Sequence, residues 1–185
     1  MSRALIFIAA IFFAPSLSVL AQLKAGDNHH VNFTDVDRNA LSTADGHITT
    51  VVLTTQSGTD KARAVGDRTP DFCLGNSIYR MITVLAFEKN HSKLVRMMLS
   101  SLMRRRLDAE GRRLQERYDK LKIDRAARRD VFAVADFDGA VTRQLGFQPV
   151  VGLFEVFVFG KNGQLIKQWN NVPSAEELGS ALKPD

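Results

Sequence analysis

The chain of 185 residues is 45% hydrophobic and 24% charged, with a net charge of +5. These proportions fit one globular domain with a layered core and exclude a largely disordered chain. The charge is concentrated: residues 89–130 hold fourteen Lys or Arg against six Asp or Glu, so the remainder is slightly acidic.

At the start, Arg3 precedes the apolar run ALIFIAAIFFA (4–14), Pro15 breaks it, and SVLA offers small residues at Val19 and Ala21 for cleavage before Gln22. Residues 1–21 are therefore expected to be a signal peptide and the protein to be exported, periplasmic or secreted. The run falls short of the roughly 20 apolar residues of a membrane span, so no stable span is expected after cleavage. An anchor kept through Leu17 to Leu20 is the alternative. No cysteine follows the run to carry a lipid, and Cys73, the single cysteine, has no partner in the chain for a disulfide.

Residues 22–32 (QLKAGDNHHVN) read as a polar leader, and the domain is expected over 33–185, opening with the turn-rich FTDVDRNALSTADG. TTVVLTT (49–55) is β-branched at nearly every position, as in a strand buried on both faces. SGTDKARAVG (57–66) suits a short helix, and MITVLAFE (81–88) a second strand. From Ser92 to about Lys122, Val95, Leu99, Leu102, Leu107, Leu114, Tyr118 and Leu121 form a helical stripe. Gly111 interrupts that stripe at a cost of about 1 kcal/mol and points to a bend or to two helices.

VFAVAD (131–136) is a third strand, followed by a compact helix with Asp138 as its cap and Gly146 as its stop. EVFVF (155–159) and QLIKQW (164–169) flank Asn162-Gly163, the pair preferred where both turn residues need positive φ. Ser174 and Glu177 have capping-box spacing at the start of a last helix. Alternating strands and helices closed by a hairpin predict a mixed central sheet with helices on both faces.

The words VFAVADFDGAVTRQLGF, EVFVFGKNGQLIKQW and SAEELGSAL, in that order, resemble the second half of a thioredoxin-like domain, particularly exported thiol reductases and peroxiredoxins. The resemblance covers about residues 31–183. It implies an α/β, thioredoxin-like fold with a mixed central sheet flanked by helices, here with an extended basic helix insertion. It also implies paired cysteines, CxxC, near Gln56 to Asp60, where this chain reads QSGTD. The peroxiredoxin pattern PxxxTxxC meets Gly66 and Pro70 ahead of Cys73, and Pro149 stands apart from the hairpin strand. A dithiol cycle needs a second thiol to resolve the mixed disulfide, and this chain has none.

Cys73 is the one candidate catalytic residue. If Thr69 caps a helical turn with Pro70 first, the helix N-terminus favours its thiolate. The alternative is a small buried apolar residue between Phe72 and Leu74, with Asp71 opposing ionisation. The arginine-rich stretch 93–129 either binds an anionic surface or is a solvated helix face with ion pairs at helical spacing. No aromatic residues interleave its cations, and nucleic acid is not expected as a partner. His29, His30, His47 and His91 lack the spacing and companions of a metal site, and no metal or cofactor is expected. The reading is an exported, non-catalytic interaction or scaffold module whose partner is another protein or an anionic surface. The alternative is a thiol-dependent oxidoreductase or peroxidase acting through Cys73.

Overall fold

The computed structural model describes residues 23–183; the expected signal peptide therefore lies outside the described residues. Among the described residues seven strands and four α-helices follow in order: β1 (Asn32–Thr34), β2 (Ala40–Ser42), β3 (Ile48–Thr54), α1 (Thr59–Asp67), β4 (Tyr79–Ala86), α2 (Lys93–Lys120), β5 (Val131–Asp136), α3 (Ala140–Gln144), β6 (Phe154–Phe159), β7 (Leu165–Trp169) and α4 (Ala175–Leu182). The central sheet has the order β5-β4-β3-β6-β7, and β1 with β2 makes a separate small hairpin. β3, β4 and β5 are parallel neighbours, joined by helical crossovers, while β6 and β7 run antiparallel. The mixed sheet flanked by helices matches the expectation.

Every residue of β3 is buried, as its β-branched run demands of a central strand. Val51 and Leu53 join Ile82, Val84, Phe157 and Phe159 on one face, covered by Val31 and Phe33 of the N-terminal segment and by Val141 and Leu145 around α3. Ile48 and Val52 join Val156 and Val158 on the other, under Val65 of α1 and Leu178 of α4. Farther along that second face, Met103 and Leu107 of α2 pack on Leu85 and Ala133.

Five local expectations are revised. The described part of the expected leader, residues 23–32, is more than a leader: Gly26 N donates to Leu165 O at 2.8 Å, His29 N to Gly163 O at 2.8 Å, and Val31 is buried. The segment is stitched to the β6–β7 hairpin, and the fold begins ahead of residue 33. That hairpin turns with positive φ at Gly163 alone, while Gly163 N donates to Gly160 O and Gly160 N to Gln164 O. This is a three-residue loop in which a left-handed glycine follows the turn, and Asn162 keeps negative φ. A Cβ at Gly163 would also lie 2.8 Å from His29 O, so the site admits glycine only.

α2 is one helix through Gly111, because Arg128 crosses there: a Cβ would sit 3.0 Å from the Arg128 Cα. The glycine makes room for a crossing chain segment and does not break the helix. The inward stripe of α2 is Met103, Leu107, Leu114 and Tyr118, whereas Leu102 is 46% exposed. Leu102 lies five residues before Leu107, off the same face of a 3.6-residue helix, whereas Met103 lies four before it.

At α3 the buried cap is Asp136, whose carboxylate accepts from Val141 N at 3.3 Å, Thr142 N at 2.8 Å and Thr142 Oγ1 at 2.6 Å. Asp138 takes only the first amide, from Ala140 at 3.1 Å. The capping box at α4 forms as its spacing requires, with both Ser174–Glu177 bonds present.

Candidate functional site

The resembled family would carry its thiols between Gln56 and Asp60. In this chain that stretch is the junction of β3 and α1, at the C-terminal edge of the parallel strands, where a 3-10 turn (Gln56–Gly58) runs into the helix. Its side chains are an amide, hydroxyls and the exposed carboxylate of Asp60, which faces Arg63. Thr55 Oγ1 and Ser57 Oγ lie 3.1 Å apart, and among the described residues no histidine or carboxylate bonds to either. Without a base, neither hydroxyl is an activated nucleophile. Gly58 presses on Thr54, whose hydroxyl a Cβ would strike, so the turn is closely packed.

The same edge carries an aromatic cluster that sequence reading did not single out. Phe87 and Phe137 stack with ring centroids 4.5 Å apart, His91 meets Phe87 edge-on at 5.4 Å, and the Arg96 guanidinium lies 5.5 Å from the Phe137 ring. The only signal for it is the register: Ala86 pairs with Asp136, so the residues that follow them leave neighbouring strands side by side. The cluster offers apolar and cationic contact, with no redox group.

Cys73 lies at the opposite edge. It ends a 3-10 turn (Asp71–Cys73) and, through Asn76, adjoins Tyr79, which pairs with Ile48 where β3 begins. With about 3.3 Å per residue, the length of β3 separates it from the Gln56 turn by roughly 20 Å. Pro70 is extended, so the cysteine closes a single turn and does not open a helix. Cys73 is 6% exposed beside Val65 and Leu178, and burial pushes the pKa of its thiol up to about 12. Apolar surroundings disfavour the thiolate, which is the nucleophile in thiol chemistry.

Part of the basic stretch is committed to tertiary contacts. Arg113 bonds Asp67 at 2.8 Å, Arg117 bonds Asp71 at 2.7 Å, and Arg128 reaches Asp108 at 2.8 Å and Asp37 at 2.6 Å. Arg104 donates to Val36 O at 2.8 Å. Most of these ion pairs join α2 and the segment after it to other elements; among the described residues, Arg113–Glu110 at 3.8 Å is the pair within the helix at the expected spacing.

Among the described residues, no three His, Cys, Asp or Glu side chains gather as a metal-binding group, and no helix is long and apolar enough to cross a membrane. His29 sits by Lys24 O, and His47 bonds Asp45 at 2.8 Å.

No protein-family model matches the chain, and no curated protein matches it. Solved structures do. A protein named for thiol:disulfide interchange, DsbE from Chlorobium tepidum, superimposes with a TM-score of 0.51 at 11% identity, over 87% of this chain and 96% of its own. A protein named for electron transfer, from Aquifex aeolicus VF5, gives 0.51 at 13% identity, over 88% and 96%. At such identities the likeness is one of fold. The fold is thioredoxin-like, and the chain lacks the paired cysteines.

Proposed function

We propose that this thioredoxin-like chain is an exported interaction module with no redox catalysis of its own. The observation that carries the reading is the β3–α1 turn, built from Gln56, Ser57 and Gly58 with no thiol, while the sole cysteine is buried at the far edge of the sheet. A dithiol–disulfide cycle needs two thiols within reach of each other and of substrate.

The contact surface we assign to this role is the outer face of α2. Leu94, Met98 and Leu102 recur there at spacings of four, with Met97 beside them, and they are 75%, 66%, 46% and 60% exposed respectively. Exposed apolar rows of this kind mark contact sites. Arg105 and Arg112 continue the same face, both exposed, which favours a protein partner whose apolar pocket is rimmed by carboxylates.

The test compares the signal-free protein with its Cys73→Ala variant in reduction of a model disulfide and in consumption of peroxide, each with added glutathione. Both proteins are expected to match the buffer blank. Turnover that disappears in the variant would establish the thiol enzyme instead. Export is tested by sequencing the N-terminus of protein from the periplasmic and medium fractions, where Gln22 is the expected first residue.

A further inference from the structure

Among the described residues, no helix lies directly over one face of β4, an interior strand beside the central β3. α1 packs on β3 and α2 on β5, and between them Met81 and Thr83 remain only half-buried although β4 has a strand on either side. The gap is a cleft of about 610 Å³. That volume lies within the range of small-molecule sites, about 300–1,000 Å³. Its floor and walls are mainly apolar, with Met81 and Leu85 flanking Thr83 on β4 and with Met103 and Leu107 from α2. Gly66 of α1 opens onto it; a Cβ there would meet nothing nearer than the Met81 sulfur at 3.8 Å.

The mouth is cationic. Arg106, Glu110, Arg113 and Arg117 recur at spacings of four, three and four along one face of α2, towards α1 and the loop after it. Arg63 Nε donates to Glu110 at 2.9 Å, Arg113 bonds Asp67 and Arg117 bonds Asp71, so ion pairs clasp the two sides across the opening. Arg106 has no carboxylate partner among the described residues, and the lining Lys120 and Glu116 offset each other. The rim thus keeps one guanidinium in excess. The clasp is partly exposed and contributes little to holding the cleft shut.

We infer that this cleft binds a single-chain amphiphile with an anionic head, a fatty carboxylate, with its alkyl chain over Met81 and Leu85 and its head at Arg106. An apolar floor drives burial of the chain, and the unpaired guanidinium selects the charge. This site is independent of the non-catalytic reading above.

The experiment is calorimetric titration of the signal-free protein with dodecanoate below its micelle concentration, alongside dodecyltrimethylammonium. Two variants accompany it: Gly66→Leu, which a helix favours and which fills the cleft, and Arg106→Glu, at an exposed side chain without bonds. One dodecanoate per chain is expected. Affinity should fall about tenfold or more in each variant, and the cationic analogue should bind at least about tenfold more weakly. The inference is overturned if dodecanoate does not bind, or if Gly66→Leu binds it unchanged. It is equally overturned if Arg106→Glu and the cationic analogue are indistinguishable from wild type with dodecanoate, since the cleft would then not select an anion.

Discussion

Arg80 and Asp45 form a two-pronged ion pair, with Nη1 to Oδ2 at 2.8 Å and Nη2 to Oδ1 at 2.9 Å. Arg80 stands on the interior strand β4, with its side chain 5% exposed; Asp45 lies in the loop between β2 and β3. Nη2 also reaches Ser42 O at 2.6 Å and Thr49 Oγ1 at 3.1 Å. The pair fastens the N-terminal hairpin to the sheet, which is why a short, turn-rich segment keeps one conformation.

Removing the carboxylate strands a buried cation. Asp45→Ala is expected to cost roughly 3 kcal/mol in urea unfolding at neutral pH. Burial by itself would raise the Asp45 carboxyl, but bonds from Arg80, His47 and the Ser42 amide hold it well below the usual carboxylate range. Its contribution is therefore complete above the unfolded value of about 3.9 and declines as the pH falls below it. Wild type should lose stability over that acid range, and Asp45→Ala should lose less. Equal slopes would show that the pair is not the source.

Tyr118 joins three parts of the fold. Its hydroxyl donates to Asp130 at 2.8 Å and accepts from Gly75 N at 2.9 Å. Tyr118→Phe leaves that amide and carboxylate short of a partner and is expected to cost about 1–3 kcal/mol. Burial, then the bond to Asp130, pushes the phenol up to about 12. The folded value is raised, so this stabilisation is full below the unfolded value of about 10 and is lost as the pH climbs through 12. Ultraviolet titration should show a phenolate signal near 12 that is absent in Tyr118→Phe.

Cys73 should resist alkylation. With its thiol pushed up to about 12, the thiolate fraction near neutral pH is about 10³-fold below that of a free cysteine. Iodoacetamide labelling in native buffer should be suppressed at least that far relative to labelling in urea, and should rise with global unfolding. A native labelling midpoint below 8 would sink both the burial argument and the non-catalytic reading.

Gly111 separates helix propensity from packing. Propensity alone awards Gly111→Ala about 1 kcal/mol of stability. The Arg128 backbone, 3.0 Å from the added Cβ, opposes it. Thermal unfolding is expected to show a net loss of about 1 kcal/mol, and a larger one for Gly111→Leu. A gain in melting temperature for Gly111→Ala would mean that the crossing segment yields freely.

Much of the architecture was legible because it rests on local chemistry. A continuous β-branched run has no stable place but a buried strand, hence β3. Ser174 and Glu177 cap α4 through bonds spanning three residues, so their spacing is the whole signal. The α2 stripe was legible in part, since its period depends on which turn faces the sheet. Asp136 is not legible as a cap, because its reach to Thr142 depends on where β5 ends. The Asn162-Gly163 pair marked the hairpin correctly, but the conformation of its loop followed from the packing of His29 against Gly163.

The sequence by itself determined the order of strands and helices, the thioredoxin-like class, and the lack of a second thiol, because residue type and spacing act over a few positions. Only the tertiary structure decided the surroundings of Cys73, the ion pairs that occupy the basic helix, and the cleft above β4. Each of these depends on distant segments meeting: Asp67 with Arg113, Ile48 with Tyr79, α1 and α2 straddling one strand. Burial and charge pairing are properties of such meetings, and a linear pattern does not contain them.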